Sequence, residues 1–170
     1  MSDLLARVKS VLKTTPERWN RLSNTVPIDL LSEKPAPGEW SAIECLQHLI
    51  DSEGLFQSRL SAFRAGRDFS AFHPDQEGTK LESPAPTDLA KEFARRREES
   101  MKLLETIVPS EFTLSVRHAE LGPVTLEQMI NEWAAHDLNH TVQAERALMQ
   151  PFLRECGPWQ RYFTDHIVKA

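Results

Sequence analysis

The stretch Thr125-Leu126-Glu127-Gln128-Met129-Ile130-Asn131-Glu132-Trp133-Ala134-Ala135-His136-Asp137-Leu138-Asn139-His140-Thr141-Val142-Gln143-Ala144-Glu145-Arg146-Ala147-Leu148 decides the fold. Its apolar residues Leu126, Met129, Ile130, Trp133, Ala144, Ala147 and Leu148 recur at three- and four-residue steps, which predicts an amphipathic helix with one face on a core. The stripe is interrupted by His136, Asp137 and His140, which the helical period turns the same way as Trp133 and Ala144. Buried polar groups without partners cost roughly 1–3 kcal/mol each, so something must meet those imidazoles, and a divalent metal held by a His pair at i, i+4 answers that need.

Working outward, Val124-Thr125-Leu126-Glu127-Gln128-Met129 carries a capping box, with Thr125 as cap, Gln128 as its reciprocal partner and Val124 stapled onto Met129. The helix is expected to stop near Met149, before Pro151. A tail containing Trp159, Tyr162, Phe163 and Ile167 is expected to pack back on the bundle. Upstream, Phe112, Leu114 and Val116 alternate with polar residues and Gly122-Pro123 closes the segment, a pattern for an extended crossover or a short edge strand. A further helix is predicted over Thr87 to Val108, with Leu89, Phe93, Leu103, Leu104 and Ile107 on one side and Arg95-Arg96-Arg97 on a solvated face.

A second capping box, Ser41 with Glu44, opens a helix carried to about Ala65 by Ile43, Leu46, Leu49, Ile50, Phe56, Leu60 and Phe63, with Trp40 stapled onto Cys45 and Gly66 as terminator. His48 lies at the flank of this stripe and Glu53 within it. Between Arg67 and Pro86 no periodicity survives, and a connection of that length is often a lid or binding loop; His73 reads as a solvated loop residue. The first helix, Asp3 to Asn24, is expected to kink or split at Thr15-Pro16, and Val26 to Trp40, rich in proline, reads as loop.

Four one-sided helical stripes with one long crossover predict an all-α four-helix bundle, with residues 1–170 as a single domain. Bundles place metal sites between facing helices, and His48 is the candidate third ligand beside His136 and His140. The 25 acidic and 20 basic residues give a net charge of −5, which argues against nucleic acid as a partner. No stretch approaches the roughly 20 apolar residues of a membrane span. The start lacks a signal-peptide pattern, and Cys45 and Cys156 are too few for a disulfide scaffold, so a soluble cytoplasmic protein is expected.

Pro37-Gly38-Glu39-Trp40-Ser41 leading into Leu46-Gln47-His48-Leu49-Ile50-Asp51-Ser52-Glu53, followed by Gly122-Pro123-Val124-Thr125-Leu126 and then His136, His140 and Gln143, resembles the DinB-like (YfiT-like) superfamily of metal-dependent enzymes over nearly the whole chain. The resemblance implies an up-down-down-up bundle in which His48, His136 and His140 bind a divalent cation such as zinc or nickel. It also implies a homodimer acting on a small molecule, by hydrolysis or by group transfer using a low-molecular-weight thiol, since relatives include thiol-dependent isomerases and S-transferases. Gln143 meets the family's glutamine after the last histidine.

Three imidazoles leave open positions on an ion, which a fourth strong protein ligand would close. An open ion is a Lewis acid toward water or a thiol. Asp137 and Glu53 are the nearest carboxylates to the stripe and are the catalytic candidates, as a general base or by orienting a ligand ring, with Asp137 alternatively a fourth ligand. His118 and His166 fall outside the motifs and read as structural or exposed. Cys45 is a conceivable thiolate ligand but more commonly such a residue is a small buried hydrophobe, and Cys156 reads as inert. Trp133 is core and can also wall the pocket. Arg59 and Arg146 cannot be placed from sequence. The rival reading is a non-catalytic dimeric binding or stress-response module whose ion only pins two helices together.

Overall fold

Two reciprocal hydrogen-bond exchanges start the helices that matter most. Ser41 Oγ accepts from the Glu44 amide at 3.4 Å while the Ser41 amide donates to Glu44 Oε2 at 2.8 Å. Thr125 and Gln128 repeat the device at 3.2 and 2.8 Å. Orphan donors of each first turn are thereby satisfied, and α3 (Ala42–Arg64) and α6 (Leu126–Glu155) begin where the sequence predicts. The computed structural model describes residues 2–78 and 85–168. Its other long helices are α1 (Ser2–Thr25) and α5 (Pro86–Glu105); short helices α2 (Ile28–Ser32) and α4 (Pro74–Glu77) lie in the connections.

Both α1 and α3 pack against α5 and α6, so α1 sits across one diagonal from α3 and α5 across the other from α6, in an up-down-down-up four-helix bundle. The long connection after α3 lets α5 return and run in the same direction as α3. Residues 79–84 of that connection lie outside the described residues. The expected extended segment is an antiparallel hairpin of β1 (Ser115–His118) and β2 (Gly122–Thr125), with Val116 opposite Val124 and His118 opposite Gly122. Gly122 adopts φ +79°, the left-handed conformation that closes this short turn. Phe69 joins the hairpin from the connection, donating to Arg117 O and accepting from the Ala119 amide, each at 3.1 Å.

Four boundaries differ from expectation. The segment Val26 to Trp40 is not all loop, since α2 buries Leu31. The helix expected over Thr87 to Val108 ends at Glu105. The first helix does not split at Pro16, because the Leu12 carbonyl, which an amide at position 16 would have met, accepts instead from Arg97 Nη1 at 2.8 Å. Likewise α6 passes Pro151 and reaches Glu155. Leu153 beyond the proline is buried, and Gln150 Nε2 donates to Arg146 O at 2.7 Å and His166 O at 3.0 Å, tying the last turns to the tail. The tail is held by such backbone contacts rather than by its aromatics, for Trp159 and Tyr162 stay largely exposed.

The core comes in two clusters, one around Leu12, Phe56, Leu104 and Trp133 and the other around Trp19, Leu49, Phe93 and Ala144. Between them, one level of the bundle is polar. Thr15, Glu53, Arg97 and Asp137 each fall between residues of the two clusters on α1, α3, α5 and α6 respectively, and all four are buried. Among the described residues, no helix is long and apolar enough to cross a membrane.

Candidate metal centre

Helical spacing sorts the polar residues of α6 onto two neighbouring lines. Trp133, Asp137, Thr141 and Ala144 form the buried line, facing the bundle axis. One residue to the side, Glu132, His136, His140 and Gln143 form a second line, and its first three members border a cavity of about 640 Å³. On α3, His48, Ser52, Leu55 and Arg59 repeat at the same steps and line the same cavity. Asp137 therefore does not share the direction of the two histidines, as the sequence reading assumed. A rotation of about 100° per residue separates neighbours His136 and Asp137 into different environments.

The structure brings the three histidines together. One ring nitrogen from each of His48, His136 and His140 lies within 4.8 Å of the others. His48 Nε2 and His136 Nε2 are 2.9 Å apart. His140 Nδ1 is 2.7 Å from Gln143 Oε1; an oxygen there requires a proton on Nδ1, which leaves Nε2 bare for a ligand. Trp40, Phe56 and Phe72 wall the cluster, with ring centroids 4.9 Å from His48, 5.7 Å from His136 and 6.4 Å from His48 respectively.

Burial pushes His48 down to about 4, and the neighbouring His140 adds to the shift. His136 is pushed down to about 3 by burial first, then by the adjacent histidines and by Arg59 and Arg97. Burial also lowers His140, against the opposing pull of Gln143 and Asp137. All three are thus neutral imidazoles near pH 7, the form that binds metal.

The proton inventory of the cluster does not close on protein atoms. Only one of the facing Nε2 atoms of His48 and His136 can donate to the other, and the Nδ1 atoms of both are buried without a partner among the described residues. A cation at the centre would satisfy three lone pairs at once, so the donor set fits a divalent ion, with three nitrogens and positions left on the cavity side. Cys45 adds no ligand; it is fully buried among apolar side chains, which push its thiol up to about 12.

Asp137 and Glu53 are committed elsewhere. Arg97 Nη2 donates to Asp137 Oδ1 at 2.5 Å and Glu53 Oε1 at 2.6 Å, and Thr15 Oγ1 donates to Asp137 Oδ2 at 2.6 Å. Burial opposes the charge on Arg97, but the two carboxylates outweigh it and hold the guanidinium above its ordinary value. The side chains of Arg97, Glu53 and Asp137 are 3%, 1% and 1% exposed, so the expectation of a solvated Arg95-Arg96-Arg97 face fails at Arg97. Neither carboxylate makes a hydrogen bond to a ligand-candidate ring among the described residues, which speaks against an orienting role for either.

His118 is buried and structural, its Nδ1 accepting from the Glu120 and Leu121 amides at 3.1 and 3.3 Å to shape the hairpin turn. His166 and His73 are exposed. Sequence reasoning missed Trp40 and Phe72 as walls and Arg59 and Glu132 as cavity residues. The last two sit on the same helical lines as the histidines, so extending those lines, by one step to Glu132 and three to Arg59, would have found them.

A four-helix bundle with a trio of imidazoles lining a cavity between facing helices is an architecture suited to holding a metal ion. The family model of the DinB superfamily matches residues 11–144, and the chain belongs to that superfamily. Among solved structures it is similar to YfiT from Bacillus subtilis, described as a probable metal-dependent hydrolase with an unusual four-helix bundle topology. The TM-score is 0.68 and the identity 16%, over 87% of each chain. No curated protein matches the sequence.

Proposed function

We propose that this chain is a divalent-metal-dependent enzyme acting on a small molecule, with the ion held by His48, His136 and His140. The observation that carries the reading is the convergence of three neutral imidazoles at the wall of a cavity of about 640 Å³. A divalent ion in that position supplies Lewis acidity to water or to a thiol. Zinc and nickel both suit imidazole ligands. Hydrolysis is the leading reaction, in keeping with the description of YfiT, while a cavity this large also has room for a low-molecular-weight thiol beside a substrate.

The chain's own residues divide the work. Gln143 fixes the tautomer of His140, and Trp40, Phe56 and Phe72 exclude bulk water from the rings. Glu132 takes over the proton-carrying role first given to Asp137 and Glu53. It opens onto the cavity one turn before His136, and the surrounding walls raise its carboxyl above the usual range against the pull of Arg59. Two free cysteines suit a reducing, cytoplasmic setting. Pairing of two copies is supported by Leu138, Val142 and Phe152, large apolar residues exposed on α6.

Elemental analysis of the purified protein should find one divalent ion per chain, lost in His140→Ala with helical content unchanged. In the cobalt-substituted protein, small thiols and anions should alter the visible spectrum. A protein that binds no metal would overturn the assignment, and one whose cobalt spectrum ignores every small ligand while the ion's removal melts the fold would support the structural-ion alternative.

A further inference from the structure

The cavity has a second end. His48 and Arg59 lie on one face of α3, with Ser52 and Leu55 at the intervening turns, and all four border the cavity. The helical rise puts their Cα atoms about 16 Å apart along the axis. On α6, Glu132 and Met129 continue the line of the histidines in the same direction, toward the hairpin. The space is therefore elongated, with the imidazole trio at one end and Arg59 toward the other.

Arg59 is held in place, but its guanidinium is not fully hydrogen-bonded. Its guanidinium lies over the Phe69 ring, 5.1 Å from the centroid, and Phe69 is itself fixed by its two backbone bonds to the hairpin. Arg59 Nε is buried and without a hydrogen-bond partner among the described residues; Glu132 attracts the guanidinium across the cavity but does not close onto it as an ion pair. By contrast, Arg64, one turn and a half further on, is fully engaged with Glu111 and Thr106. A half-buried guanidinium with a free edge on an apolar-walled cavity needs an anion to complete it. Glu132 and Glu120 also line the cavity, and Glu132 already draws on the same guanidinium, so the site has room for at most one further negative charge.

We infer that Arg59 anchors the carboxylate of a monoanionic small substrate, whose apolar body lies along Leu55, Phe56 and Met129 and whose reacting end reaches the histidine cluster. The last clause rests on the proposed function; the anchoring by Arg59 does not. The substrate class is thus a carboxylic acid with a reactive group several bonds from the carboxylate.

The test is calorimetric titration of the metal-loaded, full-length protein with hexanoate, its neutral isostere hexanamide, and inorganic phosphate. Hexanoate should bind about tenfold or more tightly than hexanamide, and phosphate should bind more weakly than hexanoate. Arg59→Gln should bring the hexanoate-to-hexanamide ratio close to one with metal content unchanged, and Arg59→Lys, which keeps the charge, should retain part of the preference. His140→Ala should lose metal and keep the preference, so a failed metal assignment and a failed anion assignment give different patterns. A ratio near one in the wild type, a preference that survives Arg59→Gln, a preference that vanishes in His140→Ala because the carboxylate sat on the ion, or tighter binding of phosphate would each overturn the inference.

Discussion

The Arg97 level and the histidine cluster draw on neighbouring residues of the same two helices, yet they solve the problem of buried polarity in opposite ways. At Arg97, four helices contribute, and the guanidinium finds Glu53, Asp137, Thr15 and the Leu12 carbonyl around it; only Glu53 Oε2 lacks a partner among the described residues. At the histidines, two helices contribute groups of the same kind, which can share at most one hydrogen bond between the facing Nε2 atoms and leave the Nδ1 atoms of His48 and His136 without a partner among the described residues. One cluster is closed by the protein and the other needs a guest. The difference separates a polar group that specifies packing from one that serves chemistry, and burial alone does not, since Asp137 and His136 are adjacent in sequence.

The largest effect of a single substitution should follow from opening the closed cluster. Arg97→Met leaves two buried carboxylates facing apolar surroundings and should cost about 3–5 kcal/mol in urea unfolding. Replacing the set together, with Glu53→Met and Asp137→Leu added, should recover most of that loss, because the penalty comes from uncompensated charge. A loss below about 1 kcal/mol for Arg97→Met would mean that the level is not the self-contained unit described.

Acid should discriminate next. In metal-free protein, His48 and His136 titrate near 4 and 3 when folded, against 6.5 ordinarily. Above pH 6.5 both rings are neutral in either state and do not penalise folding. As the pH falls below that value the unfolded chain takes up protons first. Stability should drop by up to about 1.4 kcal/mol per pH unit for each ring until the folded rings protonate in turn. Comparing wild type with a His48→Gln/His136→Gln double variant between pH 6.5 and 4 isolates this contribution from that of ordinary carboxylates. Parallel profiles for the two proteins would show that the rings are already satisfied, and the contrast with Arg97 would collapse.

Gln143 sharpens the open side. Gln143→Leu removes the acceptor for His140 Nδ1 and should weaken metal binding about 10- to 100-fold by competition titration, with the metal-free unfolding midpoint nearly unchanged. Gln143→Glu keeps an acceptor and should bind close to wild type. Equal affinities for all three proteins would mean that the tautomer of His140 is not set from this side.

Much of this arrangement was legible in the residues. The capping boxes at Ser41 and Thr125 are local chemistry, and they fix the starts of α3 and α6 and hence the phase of every residue that follows. That is why His48, His136 and His140 could be selected in advance. Asp137 was misdirected because one residue of helical rotation decides between axis and cavity, and a stripe wide enough to hold both does not resolve them. Arg97 was read as solvated since its neighbours Arg95 and Arg96 pair with Glu92 near the surface; yet Leu89, Phe93, Arg97, Ser100 and Leu104 keep the buried spacing. A cation on one stripe and acids on two others were a signal that only their joint reading could reveal. The stacking of Arg59 on Phe69 and the hairpin contacts of Phe69 depend on distant pairings that no local pattern encodes.

The smallest effect concerns Pro16. An interior helix proline ordinarily costs about 3 kcal/mol relative to alanine, partly through the bond its missing amide fails to make. Here the carbonyl that loses that bond, Leu12 O, already accepts from Arg97 Nη1 at 2.8 Å and from Thr15 Oγ1 at 3.3 Å. Pro16→Ala should therefore stabilise the protein by less than about 1 kcal/mol, because the restored amide competes for an occupied acceptor. In the Arg97→Met background the same carbonyl is released from the guanidinium, and Pro16→Ala should gain appreciably more, giving a coupling between two residues 81 positions apart in sequence. Equal gains in the two backgrounds would show that the proline and the arginine act independently. In that case the unbroken course of α1 would owe nothing to the polar level of the bundle.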